Sequence, residues 1–181
     1  YDPADLALAE LKQPVPVAPD LVLPKPAGDD VFAAYARAFS YDRTPITDLT
    51  RDPIDTTPAD WTRETVSFPA PYGRERITVH VLLPKGSRPP YQPVIYVPGG
   101  NGWQTNSSTA WVNDPTAAFV LRSGRALVLP ILKGMFERSD GGPIPDTILD
   151  TIRWRDVVVA CGKDISRTID YLETRQDLAL D

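Results

Sequence analysis

Two short segments of the sequence consist almost entirely of apolar residues: PVIYVP (93–98) and RALVLPIL (125–132). Runs of this length and character are typical of strands that are buried on both faces of a sheet. The segment between them, DPTAAFVLRSG (114–124), predicts a helix, with Asp114 as its cap and Gly124 as its stop. A strand, a helix and a second strand in succession predict an α/β fold.

The flanking segments predict an antiparallel start and a long last helix. WTRETVSF (61–68) and RITVHVLLP (76–84) alternate between apolar and polar residues, and a glycine lies in the connection, which predicts a hairpin. Residues 155–175 carry an apolar stripe at helical spacing. Asp164 and Arg167 lie on the other side of that helix at i,i+3. The fold class is therefore α/β, with an antiparallel start followed by parallel strands and their helices.

Proline is concentrated at the beginning of the chain, where residues 1–98 hold sixteen of the 20 prolines. A short helix over residues 3–12 and then an extended, proline-spaced run predict an arm that comprises residues 1–29. The segment GDDVFAAYARAF (28–39) predicts a short amphipathic helix. The α/β domain is expected to occupy residues 30–181.

Composition excludes several classes of function. The net charge of −5 lacks the basic stripe of a nucleic-acid-binding protein. No segment approaches the roughly 18 apolar residues of a membrane span. One histidine and one cysteine leave few metal ligands, and SDGG (139–142) lacks the spacing of a calcium loop. We expect no nucleic-acid partner, no membrane span, no metal and no cofactor, while the compartment stays open.

The glycine-rich loop PGGNGWQ (98–104) follows the first apolar strand and indicates that the backbone approaches a ligand. A dinucleotide fingerprint, G-x-G-x-x-G, fails because Thr105 stands where its third glycine belongs. A nucleotide-binding P-loop fails because the Gly-Lys-Ser/Thr ending is absent. Backbone amides that receive a developing oxyanion fit the loop, and a turn without any ligand is the alternative.

Four segments together resemble the α/β-hydrolase domains of bacterial esterases related to the dienelactone hydrolase and prolyl oligopeptidase groups. They are RETVSFPAPYGRERITVHVLLPK, PPYQPVIYVPGGNGW, LRSGRALVLPILKGMFER and GKDISRTIDYLETRQD. The resemblance runs from about Asp30 to Asp181, and it extends to hydrolase domains that are fused to bacterial serine/threonine kinases. It implies the N-terminal half of an α/β-hydrolase fold and serine-type hydrolysis of a small-molecule ester. It also implies that the amide of Gly100 or Asn101, with Gly99 beside them, points at the substrate carbonyl oxygen.

The same resemblance implies a nucleophile elbow, G-x-S-x-G, after the next strand, but residues 1–181 contain no such motif. Serine, acid and histidine follow one another in that order in this fold, so all three are expected outside this chain. We expect a truncated or split chain, completed by a second polypeptide segment. That segment would also cover the edge of RALVLPIL (125–132), which an isolated half would leave unpaired.

Four side chains are candidates for substrate binding. Trp103 and Gln104 follow the glycine loop and would line an acyl or alcohol pocket, although a packed surface tryptophan is an equal alternative. Lys133 and Arg138 follow the second apolar strand, at the sheet edge where ligands bind in α/β proteins. They would bind a charged substrate or, alternatively, form a local ion-pair network.

The remaining reactive side chains are expected to be structural. His80 lies in the middle of a strand, and Cys161 lies on the apolar stripe of the last helix. Ser107, Ser108 and Ser123 have no strand-to-helix elbow around them.

Two other functions stay open at this point. One is a serine peptidase of the prolyl-oligopeptidase type, which would use the same mechanism. The other is a non-catalytic α/β-hydrolase-like module for interaction or regulation, in which no nucleophile completes the fold. The residues that complete the sheet distinguish this module from an enzyme.

Overall fold

The computed structural model describes residues 25–113, 115–139 and 151–180. The predicted helix over residues 3–12, the extended run that follows it and the Asp114 cap lie outside the described residues. The chain divides into two compact units, Tyr1–Ala34 and Tyr35–Asp181, and the second contains the whole sheet.

Five strands form one mixed sheet in the order β1-β2-β3-β5-β4. β1 to β3 are antiparallel neighbours, β3 and β5 are also antiparallel, and β4 and β5 form a parallel pair. The strands are β1 (Thr50–Arg51), β2 (Trp61–Pro69), β3 (Arg76–Pro84), β4 (Pro93–Ile95) and β5 (Ala126–Ile131). The predicted hairpin and the predicted parallel pair are both present, and the mixed α/β class is confirmed.

Four α-helices surround or precede the sheet in the described residues: α1 (Asp29–Ala38), α2 (Thr109–Val112), α3 (Pro115–Arg122) and α4 (Ile152–Leu172). The 3₁₀ turns Gly100–Trp103 and Phe136–Arg138 follow β4 and β5. Three predicted helices therefore appear, with ends that differ by a few residues from the predicted ones. Gly124, with φ of 84°, ends the segment after α3, as its position in the sequence predicted.

The core lies on both faces of the sheet, and β5 is therefore buried along its whole length. On one face, β2, β3 and β5 pack against the last turns of α4, where Tyr171 and Leu172 are buried. On the other face, β3 and β5 pack against α2, α3 and the turn that contains Phe136. Fully burying one Val, Leu or Phe side chain contributes roughly 1.5–3 kcal/mol, so these two layers hold the sheet in place.

The expected open edge lies on a different strand. β5, which contains most of RALVLPIL, is paired on both sides by β3 and β4 and is a central strand. The expectation that β5 has an open edge was therefore wrong. Within the described residues, β4 is the last strand of the sheet and has β5 as its one ladder partner. The sequence order suggested an edge because β5 comes last, whereas the chain inserts it between β3 and β4.

A parallel bridge lies on the other side of the segment that leads into β4. The amide of Tyr91 donates to the carbonyl oxygen of Asp177 at 2.8 Å, and the amide of Ala179 donates to Tyr91 at 2.8 Å. Tyr91 thus pairs with Leu178 in the parallel sense. The segment after α4 therefore runs alongside the beginning of β4.

Candidate active site

The glycine loop lies at the carboxyl end of β4, where the ligand sites of open α/β sheets are found. The Tyr96 amide still donates to the carbonyl of Val128 in β5, at 2.8 Å, and the chain then leaves the sheet. Gly100 begins a 3₁₀ turn in which the Gly102 amide donates to the Gly99 carbonyl at 3.0 Å. The loop is therefore a short, hydrogen-bonded turn held at a fixed place on the sheet edge.

Gly100 and Asn101 supply the first two amides of this turn. The first amides of a helical turn have no partner inside it. Among the described residues, no group accepts a hydrogen bond from the amide of Gly100 or Asn101. A Cβ built on Gly99 or Gly100 would meet no heavy atom within 4 Å. Open space at Gly99 and Gly100, beside two amides without an acceptor among the described residues, is compatible with an oxyanion site.

The loops after β4 and β5 pack tightly against each other through two glycines. A Cβ on Gly102 would lie 3.0 Å from Sδ of Met135, so a side chain there would require Met135 to shift. Gly134 has φ of 78°, and a Cβ on it would lie 2.5 Å from Cζ3 of Trp103. Because a side chain at either position would meet atoms of the other loop, the two loops form one unit.

A cavity of about 700 Å³ opens beside the loop, and Gly99, Gly100, Trp103 and Gln104 line it. The rest of its wall comes from Phe39, from the loop after β5 and from α4. Its apolar side chains there include Leu132, Met135, Trp154, Val158, Cys161 and Ile165.

Three aromatic side chains of the described residues line this cavity. The ring centroids of Trp103 and Trp154 lie 5.7 Å apart at an interplanar angle of 56°. Phe39 lies against α4 at Gly162, where a Cβ would come within 2.6 Å of the ring. The sequence indicated the α4 wall only through its apolar stripe, which was interpreted as core.

The predicted site residues separate into two groups. Gly99, Gly100, Trp103 and Gln104 come together around the cavity. Asn101 is exposed, and its side chain is not among those that line the cavity. Their role in binding and catalysis stays a prediction.

Lys133 and Arg138 belong to an ion-pair network instead of the cavity wall. Nζ of Lys133 and Nη2 of Arg138 lie 2.6 and 3.0 Å from the two oxygens of Glu75. Nη1 of Arg138 lies 2.6 Å from Oδ2 of Asp164, which also accepts a bond from the Lys133 amide. Of the two expectations for these cations, the structure shows the local network, and substrate binding by them stays a prediction.

The network shifts the pKa values of its members in different directions, and burial raises the pKa of Asp164. Burial alone would raise the pKa of Glu75, but the hydrogen bonds from Lys133 and Arg138 outweigh it and lower that pKa. Asp164 is fully buried and accepts a hydrogen bond from the Tyr72 hydroxyl at 2.7 Å as well. Burial raises the pKa of Tyr72, so it remains a neutral donor to the carboxylate.

His80 and Ser108 form a pair that the sequence did not reveal. Nε2 of His80 lies 3.0 Å from Oγ of Ser108, and Nδ1 lies 3.0 Å from Oγ1 of Thr65. Both the amide and the hydroxyl of Ser108 donate to Glu137, at 2.8 and 3.0 Å. The one hydroxyl proton of Ser108 is therefore committed to Glu137, so Nε2 of His80 is the donor to Ser108.

This proton order is the reverse of a serine–histidine nucleophile pair, in which the histidine accepts the hydroxyl proton. Burial lowers the pKa of His80, which keeps the ring neutral. Ser108 is only 3% exposed and lies outside the cavity wall. The pair therefore connects the segment that follows the glycine loop, directly before α2, to β3 and to the turn after β5.

Cys161 lies in the cavity wall, and burial raises the pKa of its thiol to about 12. A thiol with so high a pKa is a poor nucleophile at neutral pH. In residues 25–113, 115–139 and 151–180, no cluster of three or more His, Cys, Asp or Glu side chains is placed to hold a metal ion. Across the same residues, no helix has the length and apolar character of a membrane span.

No protein-family model matches the sequence, and no curated protein matches it. Solved structures do match. The crystal structure of acetyl xylan esterase 1 from Thermoanaerobacterium sp. has a TM-score of 0.59 at 14% identity, covering 86% of this chain and 49% of that one. A glucuronoyl esterase from Solibacter usitatus has a TM-score of 0.50 at 15% identity, covering 94% and 57%.

Both similar structures are esterases with the α/β-hydrolase fold, and this chain has that fold. The chain spans about half the length of the solved structures it matches. The resemblance to the dienelactone hydrolase and prolyl oligopeptidase groups, and to kinase-fused domains, stays a prediction.

Proposed function

We propose that this chain supplies the oxyanion loop of a serine-type ester hydrolase. The amides of Gly100 and Asn101, which have no acceptor among the described residues and begin the turn beside the cavity at the carboxyl end of β4, carry the proposal. An oxyanion hole of the α/β-hydrolase fold takes one backbone donor from this place in the fold. The similar structures, both named as esterases, support the same chemistry.

The proposed reaction proceeds through an acyl-enzyme. A serine hydroxyl attacks the ester carbonyl carbon, and the carbonyl oxygen becomes an oxyanion that accepts a hydrogen bond from the Gly100 or Asn101 amide. Collapse of the tetrahedral species expels the alcohol, and water then attacks the acyl-enzyme by the same route. The amides act without any change of protonation, because a backbone N–H is a fixed donor.

The nucleophile, acid and histidine come, in this proposal, from residues outside these 181. No G-x-S-x-G motif is present, and His80 is the single histidine of the sequence and is occupied by Thr65 and Ser108. The parallel bridge between Tyr91 and Leu178 supports a position for the missing segment beside β4. A strand that extended this register along β4 would reach the sheet edge beside the glycine loop.

A non-catalytic module is the second candidate. The observation that favours it concerns the one histidine of these 181 residues, which is a neutral, half-buried donor to Ser108 and not a base. In that case the fold would serve interaction or regulation, and the amides of Gly100 and Asn101 would have no reacting carbonyl to bind.

Gly100→Val in the intact protein tests the proposed function. The new side chain enters open space, so the fold is retained, but it blocks the approach of a carbonyl to the amides. We expect kcat for 4-nitrophenyl esters to fall by about 10²–10³-fold, the effect of losing an oxyanion donor.

Gly86→Val is the matched control, because a Cβ there also meets no atom within 4 Å and Gly86 does not line the cavity. A fluorophosphonate should label the intact wild-type protein at a serine. Equal activity in Gly100→Val and Gly86→Val would sink the oxyanion assignment, and the absence of labelling would favour the non-catalytic module.

A further inference from the structure

The wall of the cavity beside the glycine loop carries no charged side chain among the described residues that line it. Its one side-chain amide belongs to Gln104, which stands next to the loop. The remaining side chains are aliphatic or aromatic, or bear sulfur. A ligand placed here would have its polar end at the glycine loop and an apolar body along α4.

Two cations that follow β5, in the loop that supplies part of the cavity wall, are already paired. Lys133 is paired with Glu75, and Arg138 is paired with both Glu75 and the buried Asp164. A ligand carboxylate in this cavity would therefore lose its water without gaining a counter-ion, which is strongly unfavourable. This argues against a uronate-bearing ester as the occupant.

The size of the cavity argues against an acetyl group alone. A volume of about 700 Å³ lies within the roughly 300–1,000 Å³ range of pockets that bury drug-sized ligands. A group as small as acetyl would leave most of that apolar wall in contact with water. The indoles of Trp103 and Trp154, tilted at 56° to each other, instead offer two flat surfaces that meet at an angle.

We propose that the cavity binds the uncharged, aryl-bearing part of the ester whose carbonyl lies at Gly100. This inference rests on the proposed function, since it takes the glycine loop as the site of the reacting carbonyl. It names the substrate class as neutral aryl esters. Aromatic rings favour tilted or offset contacts with other rings, which the Trp103–Trp154 pair provides.

Binding of a pair of matched, non-hydrolysable probes to the intact protein tests the inference. The neutral probe is 4-phenylbutan-2-one, and its charged counterpart is 4-(3-oxobutyl)benzoate, which keeps the methyl ketone and adds a carboxylate to the ring. The readout is the ¹⁵N–¹H signals of the Trp103 and Trp154 indoles, assigned from Trp103→Phe and Trp154→Phe spectra. We expect the neutral ketone to shift both signals and the carboxylate to bind about tenfold more weakly or worse.

Two variants on α4 locate the binding. Val158→Asp places a charge on the cavity wall at a position that is 41% exposed and should weaken ketone binding about tenfold or more. Ile169→Asp is the control, since Ile169 is 39% exposed on the same helix and does not line this cavity. Equal binding of the two probes, no shift with the ketone, or equal effects of the two variants would overturn the inference.

The comparison of probes uses the wild-type protein, so it decides the matter even if Val158→Asp does not fold. Fluorophosphonate labelling reports separately on the proposed function. Ketone binding without labelling would contradict ester hydrolysis while supporting the ligand class. Labelling without ketone binding would support ester hydrolysis while contradicting the ligand class.

Discussion

Two charged residues of α4 are buried, whereas two apolar residues of its predicted stripe are partly exposed. On one side, Asp164 and Arg167 are buried, at 0% and 4% exposure. On the other side, Val158 and Ile169 are 41% and 39% exposed. The predicted apolar stripe is therefore partly at the surface, and the polar residues opposite it are in the interior.

The difference follows from the partners that each side chain meets. Asp164 accepts bonds from Arg138, Tyr72 and the Lys133 amide, and Nη1 of Arg167 donates to the carbonyl of Thr44 at 2.6 Å. A buried charge is tolerated when it is paired and hydrogen-bonded in this way. The exposed apolar residue Val158 shows that a stripe at helical spacing can form a cavity wall as well as a core.

The largest expected effect would break the polar side. Asp164→Ala removes the buried carboxylate partner of Arg138, which keeps only its contact with the more exposed Glu75, and removes the acceptor for Tyr72. Breaking a buried ion pair in this way costs about 3–5 kcal/mol of unfolding free energy, as measured by urea denaturation.

Asp156→Ala on the same helix is the control for this prediction. The Asp156 carboxylate is 62% exposed and pairs with its neighbour Arg155, and an exposed ion pair of this kind contributes about 0–1 kcal/mol. A similar loss of stability in both variants would contradict the special role of the buried network.

The next prediction concerns the boundary between the two sides. Gly162→Ala places a Cβ within 2.6 Å of the Phe39 ring, which must move, at a cost of about 1–3 kcal/mol. Alanine is also the better helix former by about 1 kcal/mol. We therefore expect a modest net destabilisation in the wild type and a gain of up to about 1 kcal/mol in a Phe39→Ala background. Urea denaturation of the four proteins measures this sign change, and the same sign in both backgrounds would refute the contact.

The smallest effect concerns the other face of the sheet, where His80 is a half-buried polar residue whose hydrogen-bond partners, Thr65 and Ser108, are uncharged. Burial lowers its pKa from the usual 6.5, so the unfolded chain takes up the proton first as the pH falls. Stability from the neutral ring is thus present above pH 6.5 and is lost as the pH falls through the lowered pKa. The slope is at most about 1.4 kcal/mol per pH unit.

His80→Gln should remove this pH dependence because glutamine does not titrate. The measurement is the free energy of unfolding of both proteins between pH 8 and pH 5, taken as a difference so that the carboxylates cancel. Parallel curves for the two proteins across that range would show that His80 does not carry the effect.

Much of the candidate site was predictable because the relevant signals are local. A buried strand that ends in glycines predicted a loop at the sheet edge, and the structure places Gly99, Gly100, Trp103 and Gln104 around one cavity there. The partners of Lys133 were not predictable, since Glu75 lies 58 residues away in the sequence. The Ser108–His80 contact was hidden for the same reason.

The sequence by itself determined the mixed α/β class, the hairpin, the parallel pair and the glycine loop, because periodicity, proline and glycine act over a few residues. Tertiary structure alone decided that β5 lies between β3 and β4, that Asp164 is buried, and that α4 forms a cavity wall. These outcomes depend on which distant segments meet. Pairing and burial free energies are properties of contacts, and hydropathy along the chain does not specify contacts.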